Sequence, residues 1–409
     1  MNIYINELGR IRDAEIEVKP MLVFTGDSGL GKSYTAFLID HLYKVIATDR
    51  IAYFVEERIK TLGMKNIEQG FSFGFKDFRL WLNHDTPQYM GYLLGNGNFS
   101  CDVNYVFDID DELPITVSWS EEQSLKVVKT NDTTTFFPSS FNDWEKIYSR
   151  AIGKFLSDVI MNSPTLLPHL LPPARAAFMG AKNALSSHGG IGMYVDFIRL
   201  NDLLTDTPPR KNPDDQFFQS MMKHLTQGEL EVEDGQTFLR LSADRRIPIS
   251  AAASSVKELA ILLRLLQSTN KLADYSILFE EPEAHIHPKN QNLVADLIAR
   301  CFNRGMKFQI TTHSDFILSR LNQLIRLGNM RKGKPDAFRR FCKENKQSEK
   351  LYLDNAQIGA YYFKEQDGKV VVEQQDITNG IPFTSFHEIV DRQERMDDLI
   401  EKYMEDDGQ

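Results

Sequence analysis

Gly26-Asp27-Ser28-Gly29-Leu30-Gly31-Lys32-Ser33 fits the pattern GxxxxGK[ST], a spacing suited to holding phosphate. The glycines let backbone N–H groups turn inward around phosphate oxygens. Lys32 supplies a point charge, and the Ser33 hydroxyl can ligate Mg2+. Two later stretches carry the other groups that phosphoryl chemistry needs. Ser276-Ile277-Leu278-Phe279 is an apolar run ending in Glu280-Glu281-Pro282-Glu283, and Phe308-Gln309-Ile310-Thr311-Thr312 runs into His313-Ser314. A carboxylate directly after a buried strand, here Glu280, can hold the metal shell; the next, Glu281, can orient or deprotonate an attacking water. His313 can donate a hydrogen bond to the γ-phosphate or to that water. The bland alternatives are a glycine turn before a helix, an acidic loop capping a helix and a satisfied structural histidine. Each loses weight when all three motifs stand in one chain.

Such side chains need rigid supports. The apolar run Met21 to Thr25 precedes the loop and a helix is predicted from Lys32, which is the context the motif requires. The first 35 residues read as two short strands, a third apolar strand, the loop and a helix, the order of an α/β nucleotide-binding core. In open α/β sheets ligands bind beyond the carboxyl ends of the strands, where Glu280, Glu281 and His313 are expected. From about Phe71 to Val128, runs such as Tyr105-Val106-Phe107 and Ile115-Thr116-Val117 predict an appended antiparallel sheet. Residues from Trp144 to Leu225 read as helices broken by Pro164, Pro168, Pro172, Pro173 and the pair Pro208-Pro209. The expected layout is therefore an N-terminal part of the core with the loop (1–50), a β-rich subdomain (51–135) and an inserted helical lobe (136–245). The C-terminal part of the core (246–330) and a tail that completes it and offers an interaction surface (331–409) follow.

Composition sets outer bounds. Hydrophobic residues make up 42% and charged residues 25% of the 409, enough to bury a real core, and the formal charge of −10 argues against non-specific coating of nucleic acid. Arg326 to Lys350 nevertheless holds nine basic and three acidic residues, and Glu388 to Asp407 nine acidic and three basic; both read first as solvated faces. The three cysteines, Cys101, Cys301 and Cys342, have no metal-ligand spacing and read as free thiols. His285 and His287, beside Glu283, lack a third ligand cluster and are expected to make polar contacts at a subunit interface. No run approaches the roughly 18 apolar residues of a membrane span, and no signal peptide precedes Ile3-Tyr4-Ile5, so a cytoplasmic location is expected.

In combination these motifs resemble the ABC-type P-loop ATPase heads of the SMC, RecF and overcoming-lysogenisation-defect group. Among these the chain is most similar to compact ATPases of bacterial antiphage systems such as Gabija, Septu and PARIS. The resemblance runs through Ile3-Tyr4-Ile5-Asn6 with Ala14-Glu15-Ile16-Glu17, the phosphate loop, Phe279 to Pro288, Thr311-Thr312-His313-Ser314 and Leu170-Leu171-Pro172-Pro173-Ala174-Arg175. It also covers the tail from Leu351 to Tyr403 and is weak between about Tyr53 and Pro164. It implies an ABC head with a mostly parallel core sheet, an antiparallel β subdomain and an inserted helical lobe. It implies ATP and Mg2+ as cofactors, with Gly26 to Ser33 and the following Tyr34 around the nucleotide, Ser33 and Glu280 on the metal, and Lys32, Glu281 and His313 in hydrolysis.

The signature segment of the group caps ATP held by a second subunit, and Ala253-Ser254-Ser255-Val256-Lys257-Glu258-Leu259 occupies its place; Ser254 is also readable as the N-cap of the following helix. Relatives carry Ser-Gly there, and losing the glycine makes close backbone approach to phosphate harder. Many heads also carry Asp where this chain has Glu280. The resemblance implies a homo-oligomer around shared ATP and a separately encoded effector, a nuclease, with nucleic acid or a phage protein as trigger and no membrane. The alternatives are an SMC- or RecF-like DNA-maintenance head, disfavoured by the lack of long heptads, and an ATP-binding scaffold with little turnover. A transporter subunit is disfavoured by the large insertion and the lack of an LSGGQ-like segment.

Overall fold

The computed structural model describes residues 1–48, 50–63, 70–163, 165–179, 190–207, 216–382 and 384–406. Three of the proline breakers named above, Pro164, Pro208 and Pro209, lie outside the described residues.

Sixteen strands are described: β1 Asn2–Leu8, β2 Ile11–Glu17, β3 Met21–Gly26, β4 Phe71–Gly74, β5 Cys101–Val106, β6 Pro114–Glu122, β7 Leu125–Thr130 and β8 Thr133–Pro138. They continue with β9 Leu167–Leu171, β10 Glu229–Glu233, β11 Gln236–Ser242, β12 Arg245–Pro248, β13 Tyr275–Glu280, β14 Lys307–Thr311, β15 Ile358–Gln366 and β16 Lys369–Gln374. Nine of them form one sheet in the order β5-β1-β2-β16-β15-β3-β14-β13-β9. The five strands from β15 to β9 run parallel to one another, while the β5-β1-β2 end and the β15-β16 hairpin pair antiparallel. The fold is thus α/β with a mostly parallel core sheet, accompanied by antiparallel sheets and helices.

Alternation along the central strands sends side chains to two separate cores. Met21 and Val23 of β3 enter one hydrophobic cluster and Leu22 and Phe24 the other; Ile277 and Phe279 of β13 are likewise divided from Leu278. The first cluster is closed by helices Ser254–Ser268, Pro288–Phe302 and Asp315–Gly333, the second by Lys32–Ala47, Phe75–Leu94 and Trp144–Met161. A strand covered on both faces can be apolar on both, as β3 is from Met21 to Phe24, with every residue of the strand buried. Each fully buried Phe or Leu contributes about 1.5–3 kcal/mol.

The region from Phe71 to Val128 differs from its sequence reading. Strands β4, β6, β7 and β8 form an antiparallel sheet, but Phe75–Leu94 is a 20-residue helix and β5 joins the core sheet. Buried Phe75, Phe78, Leu82, Tyr89 and Leu93 recur at helical spacing, so period outweighs the strand propensity of aromatics. The Asp77 carboxylate accepts from Gly74 N–H at 3.0 Å at its start, and Gly95, with φ +65°, ends it. The segment 136–245 is also not purely helical, because β9 forms an edge of the core sheet and β11 pairs with β10 on one side and β12 on the other in a small sheet.

The helix behind the phosphate loop is anchored by polar groups as well as by packing. His41, fully buried, shares a 2.8 Å hydrogen bond with Asp85 through Nε2, and Arg50 grips the same carboxylate at 2.7 and 2.8 Å. None of the three cysteines is in a disulfide, Cys301 and Cys342 are buried, and among the described residues no helix is long and apolar enough to cross a membrane.

Candidate functional site

Gly26 closes β3 opposite Phe363 of β15, with φ +123°, and a Cβ there would lie 2.2 Å from the Phe363 carbonyl oxygen. At the helix entrance Gly31 has φ +90°, which an L side chain rarely adopts. Asp27, Ser28 and Gly29 are exposed between them, Leu30 is buried, and Ser33 is half-buried. Lys32 is buried, and its Nζ donates to the Gly26 carbonyl at 2.8 Å and the Asp27 carbonyl at 2.6 Å. Two of three ammonium donors are used, and the third is free to meet a phosphate oxygen. Burial lowers the Lys32 ammonium to about 8, against the pull of Asp27, Glu281, Glu280 and Glu283, so it stays mainly charged at neutral pH. Tyr34 sets its ring edge-on against Phe99, with centroids 5.8 Å apart, so its side chain serves packing here.

Register delivers the other groups to the same edge. Glu280 of β13 stands beside Thr311 of β14, and Thr311 beside Phe24 of β3, so loop, carboxylates and histidine all leave the carboxyl ends of neighbouring parallel strands. Glu280 is buried, and burial pushes its carboxyl up to about 7 while a hydrogen bond with Ser33 holds it down. The two residues assigned to the metal by sequence thus stand at the same carboxyl edge of the sheet. One oxygen of Glu280, Oε1, is buried with no hydrogen-bond partner. A buried carboxyl oxygen without a partner fits a hard divalent cation, which takes oxygen ligands and would favour the ionised form. With nucleotide phosphates present, Ser33 and Glu280 would hold Mg2+ there, and the ion would neutralise phosphate charge.

Glu281 adopts φ +44°, a left-handed conformation that costs a non-glycine residue about 1–2 kcal/mol. The turn is held by its N–H donating to Thr311 O at 3.0 Å and by Ala284 N–H donating to the Glu281 carbonyl at 3.0 Å. Glu283 then reaches across: its carboxylate accepts from Thr312 Oγ1 at 2.9 Å and from His313 N–H at 2.7 Å. Burial raises the Glu283 carboxyl, and these donors oppose the rise. The His313 imidazole is lowered below the usual range, first by desolvation and then by Lys32, so its neutral form prevails at neutral pH.

Ser254 is exposed at the first turn of helix Ser254–Ser268. The helix begins at Ser254 itself, Ala253 occupies the N-cap position and no side chain caps the end, which corrects the serine N-cap reading. His285 and His287 both make polar contacts. His285 Nδ1 lies 3.0 Å from Glu258, and His287 Nδ1 accepts from Lys289 N–H at the start of helix Pro288–Phe302, so both contacts are within the chain. No cluster of three or more His, Cys, Asp or Glu suited to a metal occurs among the described residues.

Arg175 and Glu258 gather around the acidic turn without having been assigned a role from sequence. The signal was present for one of them: Arg175 ends the quoted run Leu170 to Arg175, and a charged residue between Pro172-Pro173 and Ala176-Ala177 is out of place unless paired.

Residues 198–318 match the family model described as AAA ATPase domain, AAA_15. That stretch contains Ser254, Glu280, Glu281 and His313, while the phosphate loop precedes it. No curated protein matches the chain. Among solved structures, an SMC head domain from Thermotoga maritima is 12% identical at TM-score 0.37, with 92% of this chain and 98% of that chain covered. An SMC head bound to the C-terminal winged-helix domain of ScpA is 12% identical at TM-score 0.40, with 92% and 97% covered. An SMC head with an extended coiled coil, bound to the C-terminal domain of ScpA derived from Pyrococcus furiosus, is 11% identical at TM-score 0.36, with 96% and 98% covered. Likenesses this distant assign no partner or activity.

Proposed function

We propose that this chain hydrolyses ATP with Mg2+ in a site completed by a second copy of itself, and that nucleotide-driven pairing controls a separately encoded effector, a nuclease, in antiphage defence. The observation that carries the catalytic part is that the phosphate loop and Glu280 leave the same carboxyl edge of the sheet, from parallel strands two positions apart. Lys32 binds phosphate, Glu281 aligns or deprotonates the attacking water, and neutral His313 donates a hydrogen bond toward the γ-phosphate. The exposed Ser254 caps nucleotide on the partner copy. The effector and defence roles draw on the sequence resemblance alone.

Purified protein should release phosphate from ATP in the presence of Mg2+. Lys32→Ala should lose nucleotide binding and turnover together, whereas Glu281→Gln should keep binding and lose turnover by about 10²–10⁴-fold. Turnover that survives Lys32→Ala would sink the assignment. A second reading, a DNA-maintenance ATPase, is favoured by the exposed basic residues Lys334, Arg340, Lys343 and Lys346 on and beside helix Pro335–Glu344. Turnover stimulated by duplex DNA would select it.

A further inference from the structure

Arg175 is fully buried, and its hydrogen bonds run to the carbonyls of Pro172, Glu258, Glu280 and Glu281. Its Nη1 donates to the Pro172 carbonyl at 2.9 Å and the Glu280 carbonyl at 2.6 Å, and Nη2 donates to the Glu281 carbonyl at 3.2 Å. On its other edge Nε donates to the Glu258 carbonyl at 2.8 Å and lies 3.1 Å from the Glu258 carboxylate. The guanidinium stacks 4.7 Å from the ring centre of Phe279, the residue before the two carboxylates. Glu258 is itself buried, and its carboxylate meets His285 Nδ1 at 3.0 Å and Ala176 N–H at 3.4 Å. One cation therefore joins the backbone that presents Glu280 and Glu281 to the helix whose first residue is Ser254.

A buried ion pair is weak support for stability, because desolvation offsets much of the attraction. A planar five-donor fork is, however, well suited to fixing several carbonyls at set angles, and lysine cannot reproduce it. Glu258 sits one helical turn beyond Ser254, so a tilt or shift of that helix end moves the carboxylate and carbonyl that Arg175 holds. We infer that Arg175, seated on Glu258, is a positioning residue that transmits docking of the Ser254 helix on the second copy to the Glu280–Glu281 turn. This rests on the proposed two-copy site. It makes hydrolysis, rather than nucleotide binding, the step that senses assembly.

The test uses the full chain and four variants: Arg175→Lys, Ser254→Ala, the double variant, and His285→Ala, whose side chain is exposed. Nucleotide affinity, turnover against protein concentration and Tm are measured for each. Arg175→Lys is expected to bind nucleotide within about twofold of wild type while kcat falls at least tenfold. The double variant is expected to be no slower than Arg175→Lys alone, because both changes interrupt one route. His285→Ala is expected to lose turnover severalfold with affinity unchanged. Full multiplication of the two single losses, or a folded Arg175→Lys with wild-type kcat, overturns the inference. If Arg175→Lys does not fold, unchanged turnover in His285→Ala does so. Wild-type turnover per chain that is independent of protein concentration overturns the two-copy site itself and the inference with it.

Discussion

Gly26 lies so close to Phe363 that a Cβ on Gly26 would sit 2.2 Å from the Phe363 carbonyl oxygen. The phosphate loop is thereby pinned to β15, a strand from the far end of the chain. Gly26→Ala should force β3 and β15 apart at that point and lower stability by about 1–3 kcal/mol, as overpacking does. Nucleotide affinity should fall as well, because the displaced carbonyl of Gly26 is a partner of Lys32. Chemical denaturation paired with nucleotide titration checks both; unaltered stability would show that the loop yields freely.

Asp85 is the shared anion of His41 and Arg50, and removing it would leave a cation without its partner behind the loop helix. Breaking a buried pair from one side costs about 3–5 kcal/mol. Asp85→Ala should lose stability on that scale by urea denaturation, and Asp85→Asn less, since an amide keeps one acceptor for Arg50. Equal losses in both would mean that shape, not charge, holds the helix.

How far the sequence reveals this arrangement depends on whether chemistry is local. Gly26 to Ser33, Glu280 and His313 lie directly after apolar runs, so both the strand and its ligand-facing end are legible from a dozen residues. Arg175 and Glu258 are not, because what gives them meaning is contact between residues 83 apart, and a lone Arg or Glu carries no spacing signal. The helix Phe75–Leu94 was hidden for a different reason: its aromatic composition matches strand preference, and only the spacing of Phe75, Phe78 and Leu82 reveals the period. The tail is a third case, in which β15 lies next to β3 through pairing that is encoded in no short motif.

Glu283 holds the end of β14 that carries His313. Its two oxygens accept from Thr312 Oγ1 and His313 N–H, which fixes the direction in which His313 leaves β14. Glu283→Ala should leave Thr312, buried at 1% exposure, and the His313 amide without these acceptors, at about 1–3 kcal/mol for an unmet buried group. Turnover should fall about tenfold or more with nucleotide affinity preserved, and Glu283→Gln should recover part of it because the amide oxygen still accepts. A variant that loses affinity and turnover in proportion would instead place Glu283 on the binding path.

His169 gives a pH dependence of known sign. The imidazole on β9, tilted against Tyr275 with centroids 5.7 Å apart, is lowered to about 3 by burial and by Lys44, against a smaller pull from Asp196. In the unfolded chain it titrates near its ordinary value of 6.5. Between those values the unfolded state binds a proton that the folded state refuses, so acid favours unfolding. Above 6.5 the histidine is neutral in both states and has no effect. As pH falls from 6.5 toward 3, its contribution should cost up to about 1.4 kcal/mol per pH unit. His169→Phe removes this proton uptake, so the difference in stability between the variant and wild type should shift in favour of the variant as pH drops from 7 to 5. Parallel stability curves for the two proteins over that range would show that His169 accepts its proton in the folded state.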